Sequence, residues 1–432
     1  MNRAREQAVR AGLAIVENHR AAKSGLPSVT SLPVRRKIKL DQSRLNILIR
    51  SRTSRLPWRG QFAPELIDYL MDTVCADAKF FLDPFCGSGT VLFEAVRRGC
   101  TARGSEVNPA AWHLASLANF AGASADKKAC VVRSLKKIAG SSSSTSQDLF
   151  SEIGAVSARG VIGASSGDRL LTVALAAAIL LGMRDGTIFD RGTISRGSRV
   201  VLEILNEFIG SKTSAECILE DARSVSLGAE SVDAIITSPP YINVFNYHQN
   251  YRFAAELLGW RPLEAARSEI GANRKHRMNR FLTVVQYCLD MGQCVDEMAR
   301  TLRVGAPLII VLGRTSNVLG ASFRNGEIFS RLLSLSNSFG NVHSAYRVFT
   351  NRFGEEIFED ILIAYKEHSS KTDASDAREI GMLALMDARA TVPERNRRDL
   401  DEAISQAGRV QPSPFLKLSV PESFAGLQQG NG

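Results

Sequence analysis

The chain has 432 residues, with 54 Lys/Arg against 44 Asp/Glu and a formal net charge of +10. That length exceeds one average domain and buries a core without cross-links. Its seven cysteines (Cys75, Cys86, Cys100, Cys130, Cys217, Cys288, Cys294) form no CxxC pair and no zinc-like Cys/His spacing, which excludes a disulfide or zinc framework and points to a reducing cytoplasm. No apolar run approaches the length of a membrane span, and the polar, arginine-bearing start has no signal-peptide core.

The charge is concentrated at the amino end. Residues 1–60 hold 14 Lys/Arg and 3 Asp/Glu, so the whole excess sits there. Residues 1–24 are predicted helical, and 25–54 read as a basic linker broken by Pro27 and Pro33. Arg35, Arg36 and Lys37 lie in the densest part of this 1–54 arm, which suits contact with a phosphate backbone; a solvated tail is the alternative.

Next comes the run Phe80-Phe81-Leu82, followed by Asp83-Pro84-Phe85-Cys86-Gly87-Ser88-Gly89-Thr90 and the helical pattern Val91–Val96. Strand, glycine loop and helix together bring backbone N–H groups and a helix N-terminus up to a ligand. Gly87 and Gly89 permit positive φ and close approach to the backbone. The loop lacks the Gly-Lys-Ser/Thr ending of a phosphate loop and the third glycine of a dinucleotide fingerprint. A further strand is expected to end at Glu106.

From Glu106 to Asp221 the chain runs far beyond one helix crossover, so 121–213 reads as a largely helical insertion. It contains the low-complexity loop Ser141–Ser146, an apolar helix over 170–181 and an amphipathic helix over 200–209. Recognition of DNA and simple packing on the core are both open to it.

The apolar run Val232–Ile236 then ends in Thr237-Ser238-Pro239-Pro240-Tyr241. Neither proline has an N–H, so the corner offers carbonyl acceptors beside a hydroxyl and a flat ring. That suits an amino-bearing ring; a proline turn closing a strand is the alternative. Residues 242–280 form a second insertion, aromatic and amide-rich at first, then basic at Arg274, Lys275, Arg277 and Arg280. Such a mixture fits a nucleic-acid surface, or an ordinary helix with a charged face. His248 and His276 lack the partner ligands of a metal site, so no metal is expected. Residues 368–432 read as a helix-bearing, partly disordered tail.

The pairing of a DPFxGSGT loop with a downstream TSPPY corner resembles the signature of the S-adenosylmethionine-dependent amino-methyltransferases, which methylate exocyclic nitrogens, mostly in DNA. The resemblance spans roughly residues 55 to 367 and implies an α/β fold: a doubly wound, Rossmann-like sheet closed by a C-terminal antiparallel hairpin over 347–366. The core would occupy 55–120 and 214–367. The resemblance further implies S-adenosylmethionine held by Asp83, Phe85, Gly87, Ser88, Gly89 and Thr90. Glu106 would take the ribose hydroxyls, Asp221 would lie near the adenine, and the element containing Phe62 and Pro64 would close over the cofactor. Ser238, Pro239, Pro240 and Tyr241 would carry the chemistry, with no role for the hairpin.

Acceptors at Ser238 and the Pro239 carbonyl could bind the amino hydrogens, while Tyr241 stacks on a base that has left the duplex. Within the family, Ser before the prolines leans to cytosine N4, with adenine N6 the runner-up and an RNA amino group a further alternative. A cytosine-C5 enzyme is rejected, because it would need a nucleophilic cysteine after a proline and no Pro-Cys pair occurs. The implied partners are double-stranded DNA and a cognate restriction endonuclease.

Overall fold

The computed structural model describes residues 39–48, 56–58, 60–140, 157–163, 165, 167–183, 189–242, 246–271, 276, 278–340, 342–351 and 353–427. The predicted helix over 1–24, the basic residues Arg35, Arg36, Lys37, Arg274, Lys275 and Arg277, and the serine run lie outside them.

Strands β1 (Phe80–Asp83), β2 (Thr101–Glu106), β3 (Ala215–Leu219), β4 (Ala234–Thr237), β5 (Pro307–Gly313), β8 (His343–Thr350) and β9 (Glu356–Tyr365) make one seven-stranded sheet. Its order is β3-β2-β1-β4-β5-β9-β8, while β6 (Thr315–Val318) and β7 (Ala321–Arg324) form a separate ribbon. β1 to β5 run parallel, with Phe81 opposite Ala102 and Ala234, and β9 then adds antiparallel to β5 and β8 to β9. The expected α/β sheet and its closing hairpin are therefore observed.

Parallel strands covered on both faces read as continuous apolar runs, and β4 and β5 are such runs. Their side chains alternate between two cores, as the two-residue period of a strand requires. Phe81, Ile236, Ile309 and Val311 pack with Leu66, Leu92 and Trp112. Leu82, Ile235, Ile310 and Leu312 pack with Val284, Tyr287 and Phe329. The connections reverse direction between β1 and β4, so a crevice opens at the carboxyl ends of those two strands, where open α/β sheets place ligands.

The insertion is helical where described: Ala125–Gly140, Ala158–Gly163, Arg169–Gly182 and Arg191–Asn206. It packs on the core, sharing one apolar cluster with Trp112 and Phe120. The last two helices cross with backbones nearly touching: a Cβ on Gly197 would sit 1.7 Å from the Ala178 carbonyl oxygen, so only glycine allows that crossing. Buried Lys128 fastens the insertion further, its ammonium donating to the carbonyls of Ala121 (2.7 Å) and Phe208 (3.1 Å).

The carboxyl-terminal segment departs from the expectation of a partly disordered tail. Helices Ala374–Ala388 and Glu394–Gln406 bury Ile380, Leu385 and Leu400 in the second core. The chain then crosses to the other core, where Phe424 stacks on Trp260 at 5.4 Å and meets His113 at 4.7 Å. The helices are as expected, and burial of these apolar side chains orders the segment through 427. Among the described residues, no helix is long and apolar enough to cross a membrane.

Candidate active site

The crevice is a cavity lined by both sequence motifs. Phe85, Gly87, Ser88 and Thr90 come from the loop after β1, and Glu106 from the end of β2. Ser238, Pro240 and Tyr241 come from the corner after β4, and Trp58, Gly60, Gln61 and Phe62 from the segment ahead of β1. Pro64 instead starts the helix Pro64–Thr73 behind them and is not among the lining residues, because a proline at N1 serves the helix entry.

One hydrogen bond fixes the two motifs to each other. The Thr237 hydroxyl donates to Asp83 Oδ1 at 2.6 Å, and Phe85 N–H donates to the same oxygen at 3.1 Å. Asp83 is 1% exposed and does not line the cavity, so it acts as a latch between the ends of β1 and β4. Burial pushes its carboxyl up to about 7, with the Thr237 bond pulling the other way.

The glycines divide their work. Gly87 has φ +51°, and a Cβ there would stand 3.2 Å from Trp58 Nε1, at the cavity wall. Gly89 has φ +89°, and its Cβ would meet the Ala115 Cα at 2.9 Å; it serves packing and does not line the cavity. Ser88 Oγ donates to Gln61 Oε1 at 3.3 Å, joining the loop to the closing element.

Glu106 receives Gly87 N–H at 2.9 Å and Asn108 N–H at 2.8 Å. Burial raises its carboxyl to about 7, while those two bonds favour the ionised form. Asp221 also borders the cavity, but its carboxylate is held by Arg223 Nε (2.9 Å), Arg223 Nη2 (2.7 Å) and Leu416 N–H (3.2 Å). The buried guanidinium takes it as a counter-ion at the edge of the cavity, next to Ala222.

At the proline corner, Pro239 is buried and outside the lining, while Pro240 and Tyr241 face in. The Tyr241 ring lies on Gly313, where a Cβ would approach its Cε2 to 3.1 Å. Burial lifts the phenol to about 12, opposed by hydrogen bonds with the Ser238 side chain and the Gly313 backbone. Ser238 therefore already engages Tyr241, and as a hydroxyl it keeps one lone pair or its proton for a substrate.

Among the lining residues not expected from the sequence, Tyr247, Ser268 and Glu269 come from the segment after the proline corner. Tyr247 borders the cavity, its carbonyl accepting from Asn108 Nδ2 at 2.9 Å. Glu269 borders it too, and its Oε2 lies 2.8 Å from His248 Nδ1, both side chains being under 5% exposed. Ser268 sits beside it. In the sequence Glu269 belongs to a charged run and His248 to an aromatic one, 21 residues apart, and only the fold pairs them. Cys86 lies 3.3 Å from Cys217, and burial keeps both thiols protonated. Among the described residues, no group of three His, Cys, Asp or Glu could hold a metal ion.

No protein-family profile and no curated protein matches the chain. Among solved structures it is similar to an S-adenosylmethionine-dependent methyltransferase from Methanosarcina mazei, at 14% identity over 68% of this chain and 94% of that one, TM-score 0.33. It is similar also to the rRNA methyltransferase AviRa from Streptomyces viridochromogenes, at 11% identity over 76% and 90% of the two chains, TM-score 0.31. A geranyl diphosphate methyltransferase with bound sinefungin matches at 10% identity over 67% and 71%, TM-score 0.26. At such identities and scores these likenesses assign no family, and the reading of the site rests on its own residues.

Proposed function

We propose that this chain transfers a methyl group from S-adenosylmethionine to an exocyclic amino group in double-stranded DNA, cytosine N4 in the first place, within a restriction-modification or related system. The observation that carries the reading is the hydrogen bond from Thr237 to Asp83, which makes the glycine loop and the proline corner open into one cavity.

The lining fits an adenosyl cofactor on three counts. The positive φ of Gly87 keeps the loop free of side chain where a ligand meets the backbone. Glu106 offers carboxylate acceptors suited to ribose hydroxyls, and ligand donors there would repay its burial. Trp58, Phe62 and Phe85 supply apolar walls. When bound, the cofactor supplies an electrophilic methyl group. The chain's own contribution is placement: holding nucleophile and methyl in line converts a bimolecular step into an intramolecular one. Ser238 would accept an amino hydrogen, and Tyr241, fixed by Gly313, would present a rigid ring to an extruded base.

The test is mass spectrometry of nucleosides from DNA treated with the chain and labelled cofactor. Label in N4-methylcytosine is expected. Label in N6-methyladenine would move the reading to that base, and label confined to RNA would defeat it. Tyr241→Ala should lose stacking of about 1–3 kcal/mol, and activity with it, while S-adenosylhomocysteine affinity survives.

A further inference from the structure

Glu269 and His248 form an acid–base pair inside the wall of the cavity. Their side chains are 4% and 2% exposed, and Nδ1 and Oε2 are 2.8 Å apart. Among the described residues Glu269 Oε1 has no hydrogen-bond partner, although Glu269 lines the cavity. A buried carboxylate oxygen left unpaired is costly, and it persists where a partner arrives with the substrate. Its position is fixed near the proline corner: two residues on, Gly271 takes φ +70° and passes so close that a Cβ would stand 2.8 Å from the Tyr241 carbonyl oxygen. Cys86, Glu106, Asp221, Tyr241 and Tyr247 are the other ionisable groups among the lining residues, and among the described residues no Lys or Arg lines the cavity.

The proline corner has acceptors for the amino group but no base. Methylation of an amino nitrogen releases a proton, and something must take it. Resting on the methyl-transfer reading above, we infer that Glu269, oriented by His248, is the proton acceptor for the target amino group. The nitrogen lone pair forms the new N–C bond as the C–S bond breaks, and that electron pair stays on sulfur as a neutral thioether. The nitrogen is left cationic with a surplus proton. Glu269 Oε1 takes this proton, and the resulting acid stays hydrogen-bonded to His248 through Oε2. No further co-reactant is needed. As the proton acceptor Glu269 is a carboxylate before the transfer, and a carboxylate favours a cation beside it, so the site should prefer the sulfonium form of the cofactor over the thioether product.

The experiment uses the full chain and Glu269→Gln, which keeps shape and removes charge. Affinities for S-adenosylmethionine and S-adenosylhomocysteine are measured by calorimetry without nucleic acid, and turnover on unmethylated phage DNA by label transfer. Glu269→Gln should cut the preference for the sulfonium about fivefold to tenfold and turnover by about 10²- to 10⁴-fold. Its affinity for S-adenosylhomocysteine should stay within about twofold, which also reports a folded site. His248→Ala should lose turnover, and His248→Asn, whose amide can replace Nδ1, should restore most of it. An unchanged preference overturns the inference whatever the acceptor, as does wild-type turnover in Glu269→Gln. Equal loss of both affinities would make Glu269 a cofactor-holding group and overturn it too. A wild type that binds neither ligand instead brings down the methyl-transfer reading, and this inference with it.

Discussion

Glu106→Gln should cost stability at acid pH and recover relative to the wild type above neutrality. In the fold the Glu106 carboxyl is raised from 4.5 to about 7 by burial. Below about pH 4.5 the group is protonated in both folded and unfolded chains and costs nothing. Between those values the folded state binds the extra proton, so stability falls as pH rises, and above about 7 the full penalty is present. A displacement of that size corresponds to about 3 kcal/mol. It is a ceiling, because the carboxylate borders a cavity that water can enter.

Glutamine carries no such penalty, but its amide cannot accept from both Gly87 and Asn108 as the carboxylate does. That loss is about 1–3 kcal/mol and independent of pH. Urea denaturation of both proteins at pH 5 and pH 8.5 separates the effects. Asp83, raised by burial to about 7 with a smaller push from Glu106, titrates in both chains; the variant loses that repulsion, which acts in the same direction above neutrality. The variant should be the less stable protein at pH 5 and should gain on the wild type by up to about 3 kcal/mol at pH 8.5. A stability difference that is the same at both pH values would refute the reasoning.

Gly87→Val should abolish S-adenosylhomocysteine binding in a folded protein, since φ +51° strains a β-branched residue and its Cβ would lie 3.2 Å from Trp58 Nε1; unchanged calorimetric affinity would sink this. Phe424→Ala should cost about 3–5 kcal/mol in chemical denaturation, because the ring is fully buried against Trp260 and His113. A loss below about 1 kcal/mol would mean the carboxyl-terminal segment is not part of the core.

What was legible in the sequence is what local chemistry dictates. A β-branched run ending in two prolines must stop a strand, and Gly87 and Gly89 mark a loop that needs positive φ. The hairpin of β8 and β9 was expected only through the resemblance of its segment to a family's closing hairpin, and the pairing is observed. What stayed hidden depends on partners distant in the chain. Phe424 reads as an isolated aromatic in a small-residue tail until Trp260 and His113 are placed beside it. Asp221 lines the cavity as expected, but nothing local shows that a desolvated Arg223 pairs with its carboxylate. Likewise the crossing of two insertion helices turns on Gly197, whose lack of a side chain reads as helix weakness but is what lets the two touch.

The Arg223 cluster shows why the carboxyl-terminal segment belongs with the site. Arg223 lies between Asp221 and Asp290, and its guanidinium also donates to the carbonyls of Ser413 (2.6 Å) and Pro414 (2.9 Å). Ser413 N–H in turn donates to Asp290 Oδ1 at 2.7 Å. A buried ion cluster of this kind holds only while every member is paired; taking one away leaves an uncompensated charge and costs about 3–5 kcal/mol. Residues 413–416 therefore complete the cluster that holds Asp221 at the edge of the cavity. Because Asp221 follows β3 and Asp290 lies on the helix Leu282–Thr301 leading to β5, the segment ties together both flanks of the crevice. The geometry of this edge of the site thus depends on residues roughly 190 positions from Asp221.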